Sequence, residues 1–174
     1  MTDGLLSALI YVFILTFICF PALLEDCKLR FMQDLENYDS WFNLLILSTF
    51  NFFDSIGRYM GGVPCLVLSN KTIKIGSLMR SLFLATCLLI AFDVAPSAIF
   101  SSDWFILLNL ALFSVSNGYV STLCATKAPG TVEGEAKGQV GGFVGICIST
   151  GIVLGSLLAF GMAYVIKASP ESKD

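Results

Sequence analysis

The stretch FNFFDSIGRYMGG, from Phe50 to Gly62, places two opposite charges inside an otherwise apolar segment. Asp54 and Arg58 are four residues apart, so on a helix they lie on one face and can pair directly. At about 100° of rotation per residue, several other small or polar residues share that face. We call this set the polar stripe: Ser48, Asn51, Asp54, Ser55, Arg58 and Gly62. Because charges in lipid are costly, the polar stripe is predicted to face other helices or a water-filled cavity.

Two interpretations of the polar stripe stay open. In the first, Asp54 and Arg58 form an internal ion pair that fixes helix packing. In the second, they line the path of a polar solute, and ionisable residues inside a membrane favour such a functional role. A carboxylate only accepts hydrogen bonds and a guanidinium only donates them. Together they suit a neutral ligand with neighbouring hydroxyls, such as a diol.

The chain around this stretch has the composition of an integral membrane protein. Of its 174 residues, 56 % are hydrophobic and 13 % are charged, whereas about a quarter are charged in a soluble domain. Five apolar blocks are long enough to cross the bilayer as helices. The sequence predicts an all-α integral membrane protein with a single transmembrane domain over 1–174. Its spans are roughly 4–24, 41–68, 73–95, 104–126 and 139–166, with an acidic loop at 25–40.

Charges in the loops predict how the protein is oriented. The loop after the first span is acidic, whereas basic residues favour the loops after the second and fourth spans. The positive-inside rule places basic loops in the cytoplasm. The N-terminus is therefore predicted to be cytoplasmic, the C-terminus and the acidic loop to be outside, and the plasma membrane is favoured over an internal membrane. Arg80, near the cytoplasmic start of the third span, is expected to snorkel to the interface.

Glycines recur at intervals of four residues in the second and fifth spans. Small residues at this spacing let helix backbones approach closely in lipid. The pairs predicted to pack helices are Gly57/Gly61, Gly138/Gly142 and Gly151/Gly155. In the fourth span, Asn117-Gly118 is unusual, because Asn is costly in lipid and Gly weakens a helix. A helix break, a close contact or a cavity-facing amide would each explain it.

The sequence does not favour an enzyme. The chain has no histidine, and no two of its six cysteines are at CxxC spacing. The usual general base and the commonest metal ligand are therefore absent. We expect no cofactor, no metal site and no nucleic-acid partner.

Four motifs in order resemble the equilibrative nucleoside transporter family. They are CFPAL at 19–23, FNFFDSIGR at 50–58, DWFILLNLALFSVSNGYVSTL at 103–123, and EGEAKGQVGGFVGICISTGIVLGSLLAF at 133–160. The second is similar to the FNxxDxxGR motif of that family. The resemblance implies a major-facilitator-like fold of eleven spans, of which this chain resembles only the C-terminal five-helix half.

The resemblance implies facilitated, equilibrative transport of nucleosides across the lipid bilayer. It implies that Asp54 and Arg58 contact the ribose, that Asn51 tunes transport and that Ile152 touches the base. An N-terminal six-helix half is then expected to be missing or separate. Two alternatives stay open. One is a non-transporting membrane partner, regulatory subunit or degenerate fragment, and the other is proton-coupled uptake of nucleosides or nucleobases with Asp54 carrying the proton.

Overall fold

The protein is described by a computed structural model over residues 2–20, 29–34, 36–91 and 102–168, and these residues form helices and loops only. The α-helices of the described residues are α1 (Thr2–Ile18), α2 (Tyr38–Gly62), α3 (Asn70–Met79), α4 (Ser81–Ala91), α5 (Asp103–Lys127) and α6 (Ala136–Ala168). Short 3-10 helices lie at Arg30–Met32, Pro64–Leu66 and Pro129–Thr131. The prediction of an all-α fold is confirmed for this part of the chain.

Three stretches of the described chain are long and apolar enough to cross a membrane. They are Asn70–Ile90, Asp103–Thr131 and Ala136–Tyr164. The apolar helix Thr2–Ile18 is shorter, and α2 interrupts its apolar surface with the polar stripe. The prediction of five spans therefore stays a prediction. Residues 21–24 and 92–95 of the predicted first and third spans, and 25–28 and 35 of the predicted acidic loop, lie outside the described residues.

Local sequence explains two interruptions inside the predicted spans. The second predicted span continues to residue 68, but α2 ends at Gly62 because Pro64 lacks a backbone N–H and disfavours helical geometry at Val63. Val63 is accordingly extended, with φ −82° and ψ 120°. The third predicted span contains two helices, since a turn at Arg80 separates α3 from α4.

The helices pack as two close pairs that α1 connects. The most extensive contact between described helices joins α2 to α5, and the next joins α1 to α6. We refer to these as the α2–α5 pair and the α1–α6 pair. Helix α1 also contacts α5 and α3, which brings the two pairs together.

Apolar clusters lie at both ends of α5, and polar side chains lie between them. One cluster joins α1, α3, α5 and α6: it contains Leu5, Leu9, Val12, Ile73, Leu123 and Cys147. Another joins the start of α2 to the start of α5 and includes Phe42, Ile46 and Leu110. Asp103, at the start of α5, accepts hydrogen bonds from the backbone N–H groups of Arg30 and Phe31 at 2.9 and 3.0 Å. The middle of α5 carries Phe113, which belongs to a smaller apolar cluster with Ile18, Cys19 and Cys87, and the buried polar residues Ser114 and Asn117.

Candidate functional site

The site is built around an ion pair on one turn of α2. Nε of Arg58 donates to Oδ2 of Asp54 at 2.6 Å, so the predicted direct pairing is present. The two partners differ in exposure, since the Arg58 side chain is 52 % exposed and the Asp54 side chain 10 %. Asp54 therefore faces α5, while Arg58 extends from the edge of the helix contact toward the open side of α2.

Glycines on both helices allow Asp54 to approach α5 this closely. A Cβ added to Gly57 would lie 2.1 Å from the carbonyl oxygen of Val115. A Cβ added to Gly118 would lie 2.0 Å from the carbonyl oxygen of Asp54. Real Cβ atoms do not approach backbone that closely, so each helix contributes a glycine where the other presents a carbonyl. The Asn117-Gly118 pair is thus explained in part by a close contact, one of the three possibilities considered for it.

The amide of Asn117 connects Asp54 to a second arginine. Nδ2 of Asn117 donates to Oδ1 of Asp54 at 2.7 Å. Oδ1 of Asn117 accepts from a terminal guanidinium nitrogen of Arg80 at 3.3 Å and from Oγ1 of Thr16 at 2.7 Å. The carbonyl of Val12 also lies 2.7 Å from that hydroxyl, so the two acceptors share its one hydrogen. Asn117 is 2 % exposed, so this amide is sealed inside the helix bundle. Four elements therefore meet here: α1, α2, α5 and the turn between α3 and α4.

The prediction that Arg80 snorkels to the interface is wrong, because Arg80 is 1 % exposed. Its guanidinium donates to the carbonyl of Phe113 at 3.1 Å, to Oγ of Ser116 at 2.5 Å and to Oγ1 of Thr16 at 2.9 Å. It also lies 4.7 Å from the ring centroid of Phe113, within range of a cation–π interaction. These acceptors come from α1 and α5, which converge around the turn at Arg80, so the guanidinium is hydrogen-bonded inside the bundle and does not reach the interface.

The other predicted binding residues lie further from the ion pair. Asn51 is exposed on α2, and its carbonyl accepts a hydrogen bond from Oγ of Ser55 at 2.8 Å. Ile152 lies on α6, half-buried, and packs against the apolar cluster that α1, α3, α5 and α6 share. The structure thus brings Asp54 and Arg58 into direct contact, leaves Asn51 nearby on the exposed side of α2, and places Ile152 on the other helix pair.

The glycines predicted to pack helices fall into two groups. Gly57 and Gly61 lie against α5, where an added Cβ would come within 2.1 and 2.9 Å of its atoms. Gly151 and Gly155 lie against α1, with the nearest atoms at 2.7 and 2.8 Å. Around Gly138 and Gly142, an added Cβ would meet no described atom within 4 Å. Packing at this last pair stays a prediction.

This arrangement can bind a neutral polar ligand and offers little for covalent chemistry. The carboxylate of Asp54 has about four lone-pair directions. Arg58 and Asn117 each occupy one of them. The remaining directions, together with the donors of half-exposed Arg58 that have no partner among the described residues, can hydrogen-bond to neighbouring hydroxyls.

Comparison with known proteins identifies the family. The sequence profile described as "Nucleoside transporter" matches residues 4–164. The chain belongs to the nucleoside transporter family. It is a multi-pass membrane protein of a transporter family, and the prediction that it is not an enzyme is confirmed by that membership.

The nucleoside transporter family relatives come from plants and animals. Equilibrative nucleotide transporter 2 of Arabidopsis thaliana is 28% identical over 156 residues, which cover 88% of this chain and 34% of that protein. Equilibrative nucleoside transporter 1 of Homo sapiens is 26% identical over 159 residues, covering 86% and 34% respectively. The chain thus spans about a third of the length of these curated relatives. No solved structure matches the chain.

Proposed function

We propose that the chain forms the C-terminal five-helix half of an equilibrative nucleoside transporter and supplies the ribose-binding part of its path. The observation that carries this proposal is the Asp54–Arg58 pair, which extends from the buried contact of α2 with α5 to the exposed side of α2. A ribose presents adjacent hydroxyls that can donate to the carboxylate and accept from the guanidinium. The family membership supports the substrate class.

The exposed side of α2 is where we place the transport path. Ser48, Asn51 and Ser55 are exposed there beside Arg58, so the polar stripe, apart from the buried Asp54, is not covered by the other described helices. In lipid such a surface would be costly, and a second set of helices would enclose it. The chain covers about a third of its relatives, which supports a six-helix half, separate or on the same polypeptide, as that second set. Alternating access would then occur between the two halves.

Ile152 would contact the base from the other helix pair, and Asn51 would adjust the path beside the ribose. The termini would follow the loop charges, with the N-terminus cytoplasmic, the C-terminus outside and the plasma membrane as the location. Transport would be downhill and would involve no cofactor.

Labelled nucleoside uptake tests this proposal directly. The chain is expressed in cells that lack nucleoside uptake, alone and together with the first half of an equilibrative relative, and surface amounts are measured by labelling. Uptake of uridine is compared with uptake of 2′,3′-dideoxyuridine, which has the same base without the diol. Uridine uptake is expected with the first half present, with the dideoxy compound taken up less well.

Two substitutions decide whether the ion pair binds the diol. Asp54→Asn keeps the side-chain size, Arg58→Gln leaves a shorter polar side chain, and each substitution removes one charge. Hydrogen bonds to charged groups contribute about 1.5–3 kcal/mol, so we expect KM for uridine to rise about tenfold or more while KM for the dideoxy compound changes little. The matched controls are Glu135→Gln and Lys137→Gln, since both residues are exposed in the segment around the start of α6.

Unchanged preference for uridine in both variants would remove Asp54 and Arg58 from the binding site. No uptake by any combination would instead favour a non-transporting membrane partner. A proton gradient applied in the same assay separates facilitated from proton-coupled uptake, and we expect it to leave the uridine rate unchanged.

A further inference from the structure

The carboxylate of Asp54 is held from two sides by residues of two different helices. Arg58, on the same helix, donates to Oδ2 at 2.6 Å, and Asn117, on α5, donates to Oδ1 at 2.7 Å. A carboxylate with a donor on each oxygen cannot rotate freely about the Cβ–Cγ bond. Its unused lone pairs then point in fixed directions, which is what recognition of two adjacent hydroxyls requires.

Asn117 can perform this role only if its amide keeps one orientation. With its NH2 toward Asp54, its oxygen faces Arg80 and Thr16, which donate to it at 3.3 and 2.7 Å. If the amide turned over, its NH2 would face the donors of Arg80 and its oxygen would face the carboxylate. Both contacts would be repulsive, so Arg80 fixes the orientation of Asn117 through charge and hydrogen bonding together.

Burial of the Arg80 guanidinium costs free energy, because it removes a charge from water. The residue is 1 % exposed, and each acceptor of its guanidinium in the described part of the chain is an uncharged oxygen. Its Nε is buried with no acceptor among the described residues. A buried cation with neutral acceptors is stabilised by a nearby anion, and Asn117 bridges Arg80 to the carboxylate of Asp54.

We infer that Asn117, oriented by Arg80 and Thr16, is a positioning residue that fixes the Asp54 carboxylate for recognition of the substrate diol. This inference rests on the proposed function and adds residues to the site that do not touch the substrate. It assigns ribose recognition to a hydrogen-bonded network of residues from α1, α2, α5 and the α3–α4 turn, rather than to α2 alone.

The test uses the uptake assay above, with the chain and a first half together. The measured quantity is the preference for uridine over 2′,3′-dideoxyuridine, expressed as the ratio of their Vmax/KM values. Asn117→Leu removes the amide at similar volume, and we expect the preference to fall about tenfold, through KM for uridine. Thr16→Val removes one donor to the amide while retaining side-chain shape, and we expect a loss of about threefold.

Asn109→Leu is the matched control because Asn109 is also buried on α5 but contacts Thr86 rather than Asp54. A purely structural effect lowers Vmax for both compounds through the number of carriers and leaves their ratio unchanged. Asn109→Leu is therefore expected to leave the ratio of the two Vmax/KM values unchanged, even if it lowers Vmax for both compounds. If Asn117→Leu yields no surface protein, Thr16→Val supplies the deciding ratio.

The outcomes separate this inference from the proposed function. If the unsubstituted pair of halves shows no uptake, or if Asp54→Asn and Arg58→Gln both retain the preference for uridine, the proposed function and this inference are both overturned. If Asp54→Asn retains the preference while Arg58→Gln loses it, this inference alone is overturned. If Asp54→Asn loses the preference while Asn117→Leu retains it, the positioning role of Asn117 alone is overturned. The proposed function and the positioning role of Asn117 are both supported if the preference is lost in three variants, Asp54→Asn, Asn117→Leu and Thr16→Val. Asn109→Leu must keep the preference in the same assay.

Discussion

The two helix pairs use glycine in the same way but place different groups in contact. In the α2–α5 pair, Gly57 and Gly118 bring each backbone against a carbonyl of the other helix, beside the buried Asp54 and Asn117. In the α1–α6 pair, Gly151 and Gly155 bring α6 against the backbone and Cβ atoms of α1. The neighbours of this second contact belong to an apolar cluster.

The difference between the two pairs shows that close approach of helix backbones has two separate consequences in this bundle. Between α1 and α6 it increases van der Waals contact, which drives helix association in lipid. Between α2 and α5 it also reduces the distance over which short polar side chains must reach. An Asn amide can bridge to an Asp carboxylate only where the backbones nearly touch. We therefore expect changes at Gly57 and Gly118 to affect both stability and recognition, and changes at Gly151 and Gly155 to affect stability alone.

The largest loss of stability is expected from Gly118→Ala. The added Cβ would lie 2.0 Å from the carbonyl oxygen of Asp54 and 2.8 Å from the backbone nitrogen of Arg58, so the helices must separate. Overpacking against rigid backbone costs about 3 kcal/mol. We expect a lower thermal midpoint in detergent and reduced preference for uridine. The control is Gly62→Ala on α2, where an added Cβ meets no described atom within 4 Å. Equal midpoints for the two variants would contradict the tight contact.

A smaller loss is expected from Arg80→Met. Methionine fills much of the same space but leaves the carbonyl of Phe113 and the oxygen of Asn117 with fewer donors. The hydrogen bonds lost from the charged guanidinium contribute about 2 kcal/mol, and their loss is partly offset because a buried charge is removed as well. The same substitution at exposed Arg30 is the control and is expected to leave the thermal midpoint nearly unchanged. A stabilised Arg80→Met protein would show that the buried charge costs more than its hydrogen bonds return.

The smallest loss is expected from Gly155→Ala in the α1–α6 pair. Its Cβ would approach Cβ of Phe17 at 2.8 Å and the carbonyl oxygen of Ile14 at 2.9 Å, distances that a modest helix shift can relieve. We expect a loss of about 1 kcal/mol, with the preference for uridine unchanged. A change in that preference would break the distinction between the two pairs.

Gly142→Ala provides the reference for that variant on the same helix. No described atom lies within 4 Å of the added Cβ, so alanine is expected to stabilise α6 slightly, by up to about 1 kcal/mol. A loss larger than that of Gly155→Ala would reveal a surface outside the described residues that packs against Gly142, as the predicted role of this glycine requires.

The sequence predicted the parts of the site that depend on one helix. The four-residue spacing of Asp54 and Arg58 determines their pairing, and helical periodicity determines which neighbours share their face. Glycine spacing predicted that helices would approach closely, but it could not say which face of α6 meets another helix. Gly151 and Gly155 share a face with each other and contact α1, whereas a Cβ added to Gly138 or Gly142 would meet no described atom within 4 Å.

The sequence could not predict the parts of the site that depend on four elements meeting. From the sequence, Arg80 is expected to snorkel because it lies near the cytoplasmic start of the predicted third span. Its actual acceptors are on Thr16, Phe113, Ser116 and Asn117, which are distant along the chain. The depth of Asn117 in the predicted fourth span already marks it as unusual, and in the structure its amide contacts the carboxylate of Asp54. Its partner could not be identified without the packing of α5 against α2.

The reciprocal glycine contact also limits how this protein can move. Two backbones that each fit a carbonyl against the bare α-carbon of the other cannot slide by a residue or roll without collision. Any conformational change that opens the protein toward one face of the bilayer must therefore move α2 and α5 together as one rigid body. The hinge of that motion then lies outside the contact between the two helices. Asp54 moves with this rigid body, so a substrate bound to it would move together with both helices and would not pass from α2 to α5.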